Sequence, residues 1–297
     1  MKEYAQGFSQ SQVNPIADFI SPTVNVPTMN GWYMIYDEKN KFKIPKTIRE
    51  VGGKATRITM DGKRAQYSCT PRALDFPVDN LEKLEESELE NIFMEGAGMV
   101  AQAAALEHET RVVNLAVANA PSSNIYFNQP TDDPVDQIDT AIVNVLKAAR
   151  TGSMMGVGVV FGTTAFKRFK NQINVRSRFV TAGGNAIPNI TTKTISELLF
   201  GAPPVMVSLM VQDTAAEGLT PTIEFILDDK ILVFARLENP TRRDPSFMKT
   251  FRLAGQWMVP GSYTTEDNRG EVAKFDWSED VQVTNAPASA LLVTATH

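Results

Sequence analysis

Residues Ser87–Asn119 read SELENIFMEGAGMVAQAAALEHETRVVNLAVAN. Ser87 and Glu90 have the spacing of a capping box, a hydroxyl N-cap answered by a carboxylate three residues on. Behind them Ile92, Gly96, Met99, Ala103, Leu106, Thr110, Val113 and Val117 recur at intervals of three and four, which predicts one face of a single long helix. Asn119 and Pro121 end it. At 1.5 Å per residue it spans roughly 45–50 Å. Gly and Ala stand in the stripe where a coiled coil carries Leu, so the helix is not a coiled-coil strand.

Ahead of this helix the chain has little apolar material. Residues 1–30 are polar and interrupted by Pro15, Pro22 and Pro27, which predicts an arm without a core of its own. Residues 31–75 read as extended chain. Trp32–Tyr36 is a β-prone aromatic run, Gly52-Gly53 breaks the segment, and Asp61-Gly62 is a hairpin-type turn signal before Ala65–Thr70 runs out again. A loop of this length without a core is functional or disordered.

Behind the long helix, helices and strands alternate. Asp133-Pro134 opens a second helix with Pro134 at its first position. Its apolar face is Val135, Ile138, Ile142, Val145, Leu146 and Ala149, and Gly152 closes it. Val157–Phe161 is a short buried strand. Thr163 or Thr164 caps a helix carrying Phe166, Phe169 and Ile173. Thr194 and Glu197 form a second capping box, for a short helix ending at Gly201. Val205–Val211 is a strand, and Ile223–Leu227 with Ile231–Leu237 a hairpin. From about Phe251 the pattern is strands alone: Trp257–Val259, Val272–Trp277, Val281–Thr284 and Ala290–Thr294. The fold class is α+β.

The chain has 297 residues, 43 % of them hydrophobic and 21 % charged, with a net charge of -5. It is large enough to bury a core without staples. Nothing in the overall charge invites nucleic acid. The polar N-terminus lacks the apolar core of a secretory signal, and no stretch approaches the roughly 20 apolar residues of a membrane span. The expectation is a soluble, cytoplasmically made product with no membrane contact. Cys69 is the single cysteine, so no internal disulfide forms, and it is read as a buried, inert thiol.

Motifs that carry chemistry fail on inspection. The glycines of Gly156–Gly162 lie inside an apolar strand and at the wrong spacing for a dinucleotide loop, so they read as tight strand packing. His108-Glu109 begins like HExxH, but Val112 stands where the second histidine belongs, and His108 is expected on the polar face of the long helix. Asp132, Asp133, Asp136 and Asp139 sit where carboxylates favour a helix start, without calcium-loop spacing. No catalytic residue, cofactor site or metal site is assigned.

Charge is distributed unevenly. Lys39–Arg72 holds ten basic residues against Glu50 and Asp61, a net +8; Ala73–Glu109 holds ten acidic residues against Lys83, a net -9. Three readings compete: nucleic-acid binding, two solvated faces, and docking of the loop of one copy on the acidic helix start of a neighbour. The loop lacks the interleaved aromatics of a stacking platform. Having no core to lie on, it fits the third reading, in which complementary fields fix register between copies. The candidate interface residues are Lys43, Lys46, Arg49, Lys54, Arg57, Lys63 and Arg64 on the loop, with Gly52, Gly53, Asp61 and Gly62 at its tips. Their counterparts are Glu82, Glu85, Glu86, Glu88 and Glu90.

Several segments taken in order carry a resemblance: AVANAPSSNIYF after the long helix, DDPVDQIDTAIVNVLKAARTG, MMGVGVVFGTTAFKRFKN, TTKTISELLFGAPPVMVSLM, and VAKFDWSEDVQVTNAPASALLV near the end. The order of parts resembles the major capsid proteins of tailed bacteriophages, over nearly the whole chain. The resemblance implies an N-terminal arm (1–30), an extended E-loop hairpin (31–75) and a peripheral domain (76–131) with a spine helix (87–119). An axial domain (132–243) and C-terminal strands returning to the peripheral domain (244–297) complete it. It implies a structural protein and not an enzyme, forming hexamers and pentamers of an icosahedral shell around double-stranded DNA, without sequence-specific binding. Expected partners are other copies, a separate scaffolding protein, a portal and a decoration protein; the expected place is the virion, after assembly in the host cytoplasm. The runner-up is an encapsulin-type compartment holding cargo protein. From a different class stands an enzyme using carboxylates in a cleft near Asp132–Asp139.

Overall fold

The computed structural model describes residues 16–35, 47–56, 63–79, 89–149, 156–179, 190–216, 218–267 and 269–296. Two sheets organise the chain, and the long helix joins them. In the first sheet the central strand is β13 (Gly270–Val283). Strand β4 (Thr70–Asp79) pairs along one side, and β11 (Met248–Leu253) and β12 (Val259–Thr264) follow one another along the other. Glu279, for instance, is opposite both Arg252 and Thr70, and Asp276 opposite both Val259 and Ala73. Strand β1 (Thr23–Val26) adds in parallel to the outer side of β11.

The second sheet has the order β5 (Ser122–Tyr126), β14 (Ser289–Ala295), β10 (Lys230–Ala235), β6 (Val157–Phe161), β7 (Val205–Val207). It is covered on both faces, which is why β6 is buried at every residue. On one face lies the second helix, α3 (Pro134–Ala149), whose Ile138, Ile142 and Val145 meet Val159, Phe161, Ile231 and Val233. On the other lie a short helix, α1 (Ile16–Ile20), and the end of the long helix, α2 (Leu89–Asn119). There Ile16, Phe19, Ile20, Val112, Val113 and Ala116 pack with Val160, Leu232 and Phe234. The C-terminal segment therefore serves both sheets: residues 248–283 build the first and β14 the second.

The long helix runs as predicted, but its buried face is turned from the expected one. Met99 and Ala103 are exposed, while Ala97, Val100, Ala101 and Ala104 lie against Ala273, Phe275 and Trp277 of β13. Apolar residues occur all around this helix, so hydrophobicity does not fix its phase. Backbone approach does: a Cβ on Gly96 would sit 2.3 Å from Phe76 of β4.

Residues 1–15 of the expected polar arm lie outside the described residues, and its second half departs from the expectation. Ile16–Val26 belongs to the body, because IADFI supplies apolar side chains to the second sheet and TVNV pairs with β11. Other local expectations also shift. Gly162, not Thr163 or Thr164, is the N-cap of α4 (Thr163–Asn171), and the Asp228 carboxylate accepts from the Thr164 amide at 3.1 Å. Ile173 opens a separate helix, α5 (Ile173–Arg178), and is exposed. The capping box of α6 (Thr192–Leu198) is Thr191 with Thr194, one turn ahead of the predicted pair. Val205–Val211 divides at the buried Ser208 into β7 and β8 (Val211–Asp213). The predicted 223–237 hairpin does not form: β9 (Ile223–Phe225) pairs with β8, and β10 goes into the second sheet between β14 and β6. The last predicted strands before Ala290 are one, β13, which stays extended through Ser278–Asp280.

Candidate assembly surfaces and the cluster that sets them

A hairpin of β2 (Asn30–Ile35) and β3 (Lys63–Ser68) leaves the body beside β1. Its base is rooted, which the sequence reading of a loop without a core did not foresee. Tyr33, Tyr67 and Cys69 pack with Val24, Val26 and Phe251, and the Tyr67 ring stacks on Phe251 at 4.7 Å between centroids. The Met34 amide donates to the Arg242 carbonyl at 3.2 Å. Farther out the character changes. Residues 49–56 are exposed throughout, and Ile48 and Val51 are 93 % and 105 % exposed. Gly52 takes φ 82 in a turn closed by Gly53 N–H donating to Glu50 O at 2.9 Å. That left-handed backbone is the reason for glycine there.

Of the predicted basic set, Arg49 and Lys54 lie on this exposed segment, and Lys63 and Arg64 lie exposed on β3. Lys43, Lys46, Arg57, Asp61 and Gly62 lie outside the described residues, as do Glu82, Glu85, Glu86, Glu88 and the predicted cap Ser87. Glu90 is in the first turn of α2. The described residues thus contain no contact between the two sets.

What holds the hairpin's platform to the long helix is a buried charge cluster missed in the sequence. Glu279 of β13 is fully buried. Its Oε1 accepts from Arg111 Nη2 and lies 3.0 Å from His108 Nδ1; its Oε2 accepts from Arg252 Nε at 3.3 Å and Nη2 at 3.0 Å. Burial pushes this carboxyl up, but the bond from His108 and the charges of His108, Arg252 and Arg111 win, holding it well below the usual carboxylate range. Around it, Arg72 of β4 donates to Glu107 at 2.8 Å, and the Arg252 guanidinium stands 3.6 Å over the Trp257 ring. Helix α2 is thereby tied to β4, β11 and β13 together. His108 is on the buried face and not the polar one. Part of the signal was local, since His108 and Arg111 are one turn apart, but Glu279 stands between Ser278 and Asp280 in a polar stretch that reads as a break between strands, and sequence alone does not bring residues 171 positions apart together.

A second buried carboxylate, Glu109, accepts from the Ala17 amide at 2.8 Å and so holds α1 on the long helix. Burial pushes its pKa up to about 7, against the lowering by that amide. Cys69 is buried with its thiol 3.5 Å from the Phe251 carbonyl, and burial with Asp280 and Glu279 nearby pushes its pKa up to about 11, the inert thiol expected.

Three of the four aspartates near α3 are used locally. Asp133 caps the helix through the Val135 amide at 3.2 Å and pairs with Arg178 at 2.6 Å. Asp132 accepts from the Gln129 amide at 2.7 Å and Asp139 from the Phe200 amide at 2.8 Å. They do not converge on a common point, and among the described residues no His, Cys, Asp and Glu group is arranged to hold a metal. Glycines 158 and 162 pack closely, Gly158 against Phe19 and Gly162 against the Asp228 carbonyl, as the strand-packing reading has it. No helix among the described residues is long and apolar enough to cross a membrane.

With this geometry in view, comparison with known proteins is informative at the level of fold. No family model and no curated protein matches the sequence. A phage-related protein from Bordetella bronchiseptica superposes at TM-score 0.74 with 16 % identity, over 98 % of this chain and 95 % of that one. The mature capsid of bacteriophage PhiM1 gives 0.59 at 13 % identity, over 95 % and 88 %. The SrpI encapsulin complex from Synechococcus elongatus gives 0.57 at 11 %, over 96 % and 88 %. The chain has the fold of the phage major capsid proteins, which encapsulins share. Within that class it stands nearer in structure to the phage-related protein than to the encapsulin.

Proposed function

We propose that this chain is the major structural subunit of a tailed-phage head, a protein that encloses double-stranded DNA and catalyses nothing. The observation that carries the reading is the fold match over nearly the full length of the chain, joined to a hairpin whose outer residues Ile48 and Val51 have no cover from their own body. An apolar pair projected into water costs free energy unless a partner covers it, and in a shell that partner is the adjoining copy. The basic residues Lys43, Lys46, Arg49, Lys54, Arg57, Lys63 and Arg64 then lie toward the acidic residues Glu82, Glu85, Glu86, Glu88 and Glu90 of that copy. Hexamers and pentamers, a separate scaffolding protein, a portal, a decoration protein, assembly in the host cytoplasm and residence in the virion belong to the same reading.

The test is expression of the chain alone and with co-expressed candidate scaffolding protein, followed by light scattering and electron microscopy. The expected result is ring-shaped capsomers or megadalton shells. A species that stays at the chain mass of 32.7 kDa under all conditions sinks the proposal. The second reading, a cargo compartment, has the SrpI likeness in its favour; particles filled with host protein and free of DNA would establish it. Reversal of Lys43, Lys46 and Arg49 to Glu is expected to block assembly of a folded chain, and added salt to weaken native assembly, since exposed charges are screened over roughly 8–10 Å. Normal assembly of the triple variant removes the charge-docking part alone.

A further inference from the structure

Strands β8 and β9 form a ribbon outside both sheets. Val211 is opposite Phe225 and Asp213 opposite Ile223, so the apolar Val211, Ile223 and Phe225 share one face with Asp213. That face is open: Ile223 is 61 % exposed, and Leu219 in the connecting turn 69 %. The ribbon is a built element. Asp213 Oδ1 accepts from the amides of Ala215 and Thr222, each at 2.9 Å, and Thr214 N–H donates to Thr222 O at 2.9 Å. Its root is fixed too, with Ser208 N–H donating to Phe161 O at 2.8 Å and Thr163 Oγ1 to Ser208 O at 2.6 Å. A rigid, exposed apolar face that its own chain leaves uncovered marks a contact site.

The same chain carries a receptor of matching character. Between α4 and β7, the last strand of the second sheet, runs a groove of about 520 Å³ floored by Phe166, Val205, Met206 and Val207. The outer edge of β7 has no strand partner among the described residues. Lys167 and Lys170 of α4 line the groove. Charge distinguishes the two surfaces. The sequence of the ribbon, Val211–Phe225, contains Asp213, Glu217 and Glu224 and no basic residue; α4 contains Lys167, Arg168 and Lys170 and no acidic one. Two ribbons would repel each other, and so would two grooves, whereas ribbon and groove attract.

We propose that the acidic apolar ribbon of one copy seats in the basic apolar groove of the next. The contact is head-to-tail, and such contacts close into rings when the rotation permits. The inference rests on the shell reading and adds to it the surface that joins neighbours around a ring.

The test uses the full chain in two variants, Ile223→Asp on the ribbon and Lys167→Glu/Lys170→Glu in the groove. Both alter exposed or half-exposed side chains, and circular dichroism with urea unfolding checks that each stays folded. Each alone is expected to lose about tenfold or more of its assembled fraction. Mixed in equal amounts they are expected to form pairs of twice the chain mass and no rings, because one intact ribbon meets one intact groove. Adding Glu224→Lys to the groove variant is expected to restore rings. A ribbon variant that assembles like wild type, a groove variant that still pairs through its intact ribbon without the other variant, or a mixture that gives no pairs overturns the contact. In each of these cases wild type still assembles and the shell reading stands. A wild-type chain that never associates overturns both.

Discussion

Replacing Glu279 by Gln tests whether the buried cluster fixes the long helix on the first sheet. The side chain is fully enclosed and accepts from or contacts three basic side chains, two of which are arginines that stay charged at any working pH. Glutamine keeps one acceptor oxygen, turns the other into a donor facing a guanidinium, and removes the compensating charge. Breaking a buried pair by deleting one partner costs about 3–5 kcal/mol. Arg111 and Arg252 retain 22 % and 13 % exposure, so water recovers part of this and the lower end, about 3 kcal/mol, is expected. At roughly 2–4 °C per kcal/mol for a large domain, the melting temperature falls by about 6–12 °C. The acid limb supplies a second readout. A carboxyl whose folded pKa is depressed contributes stability that is present above its ordinary value of 4.5 and lost as pH falls below it. The gap between wild type and variant should therefore be present at pH 5 and shrink below pH 4.5. Urea unfolding of the unassembled chain across that range measures both. A loss under about 1 kcal/mol, or a gap that does not narrow in acid, refutes the claim that charge compensation holds this joint.

Glu109 titrates with the opposite sign. Its folded pKa of about 7 lies above the ordinary 4.5, so stability declines as pH rises from 4.5 to 7 and levels off beyond. The total is about 3 kcal/mol at 1.36 kcal/mol per unit. Glu109→Gln should abolish the decline and be the more stable protein at pH 8 in urea titrations. Gly96→Ala places a methyl 2.3 Å from the Phe76 ring and should cost about 1–3 kcal/mol despite the better helix propensity of alanine, read by thermal melting. Cys69 should react with maleimide only as fast as the chain unfolds, so urea below the transition should leave labelling slow, as mass spectrometry would report.

The sequence showed those elements whose signal is local. Asp133-Pro134 at the start of α3, the face of Ile138, Ile142 and Val145, and the strand Val157–Phe161 stand as read, because a cap, a 3.6-residue period and a short apolar run each act within one element. What failed depends on partners far along the chain. Asp228 caps α4 from 64 residues away, so neither Thr163 nor Thr164 was needed as N-cap. Ile231–Leu237 reads as one arm of a hairpin with Ile223–Leu227 until the second sheet takes both edges of the strand actually formed, Lys230–Ala235. The buried face of α2 was misread because small residues, not large ones, decide where a helix can approach a sheet. Of the candidate interface, the charge asymmetry and the turn at Gly52 were legible, whereas the apolar tip at Ile48 and Val51 was hidden by its ordinary composition.

The built-in position of Ile16–Val26 bears on how a shell of such chains would be held together. Had the entire leading region lacked a resting place in its own chain, order there would depend on neighbours. Instead α1 and β1 are seated in both sheets through Ile16, Phe19, Ile20, Val24 and Val26. The base of the hairpin continues from them without a break, on Tyr33, Tyr67 and Phe251. A hairpin rooted this way has a fixed departure direction before any copy meets another, so less ordering entropy is lost on contact. In such a shell the register between copies would be set by the body, through the helix that Glu279 and Glu109 hold in place, and the exposed residues 48–56 would need only to find a surface already in reach. Loosening either carboxylate contact should therefore impair assembly more than it impairs folding, and the two are separated by comparing Glu279→Gln at temperatures well below its melting point, where the chain is folded and only the geometry of its projecting parts can differ.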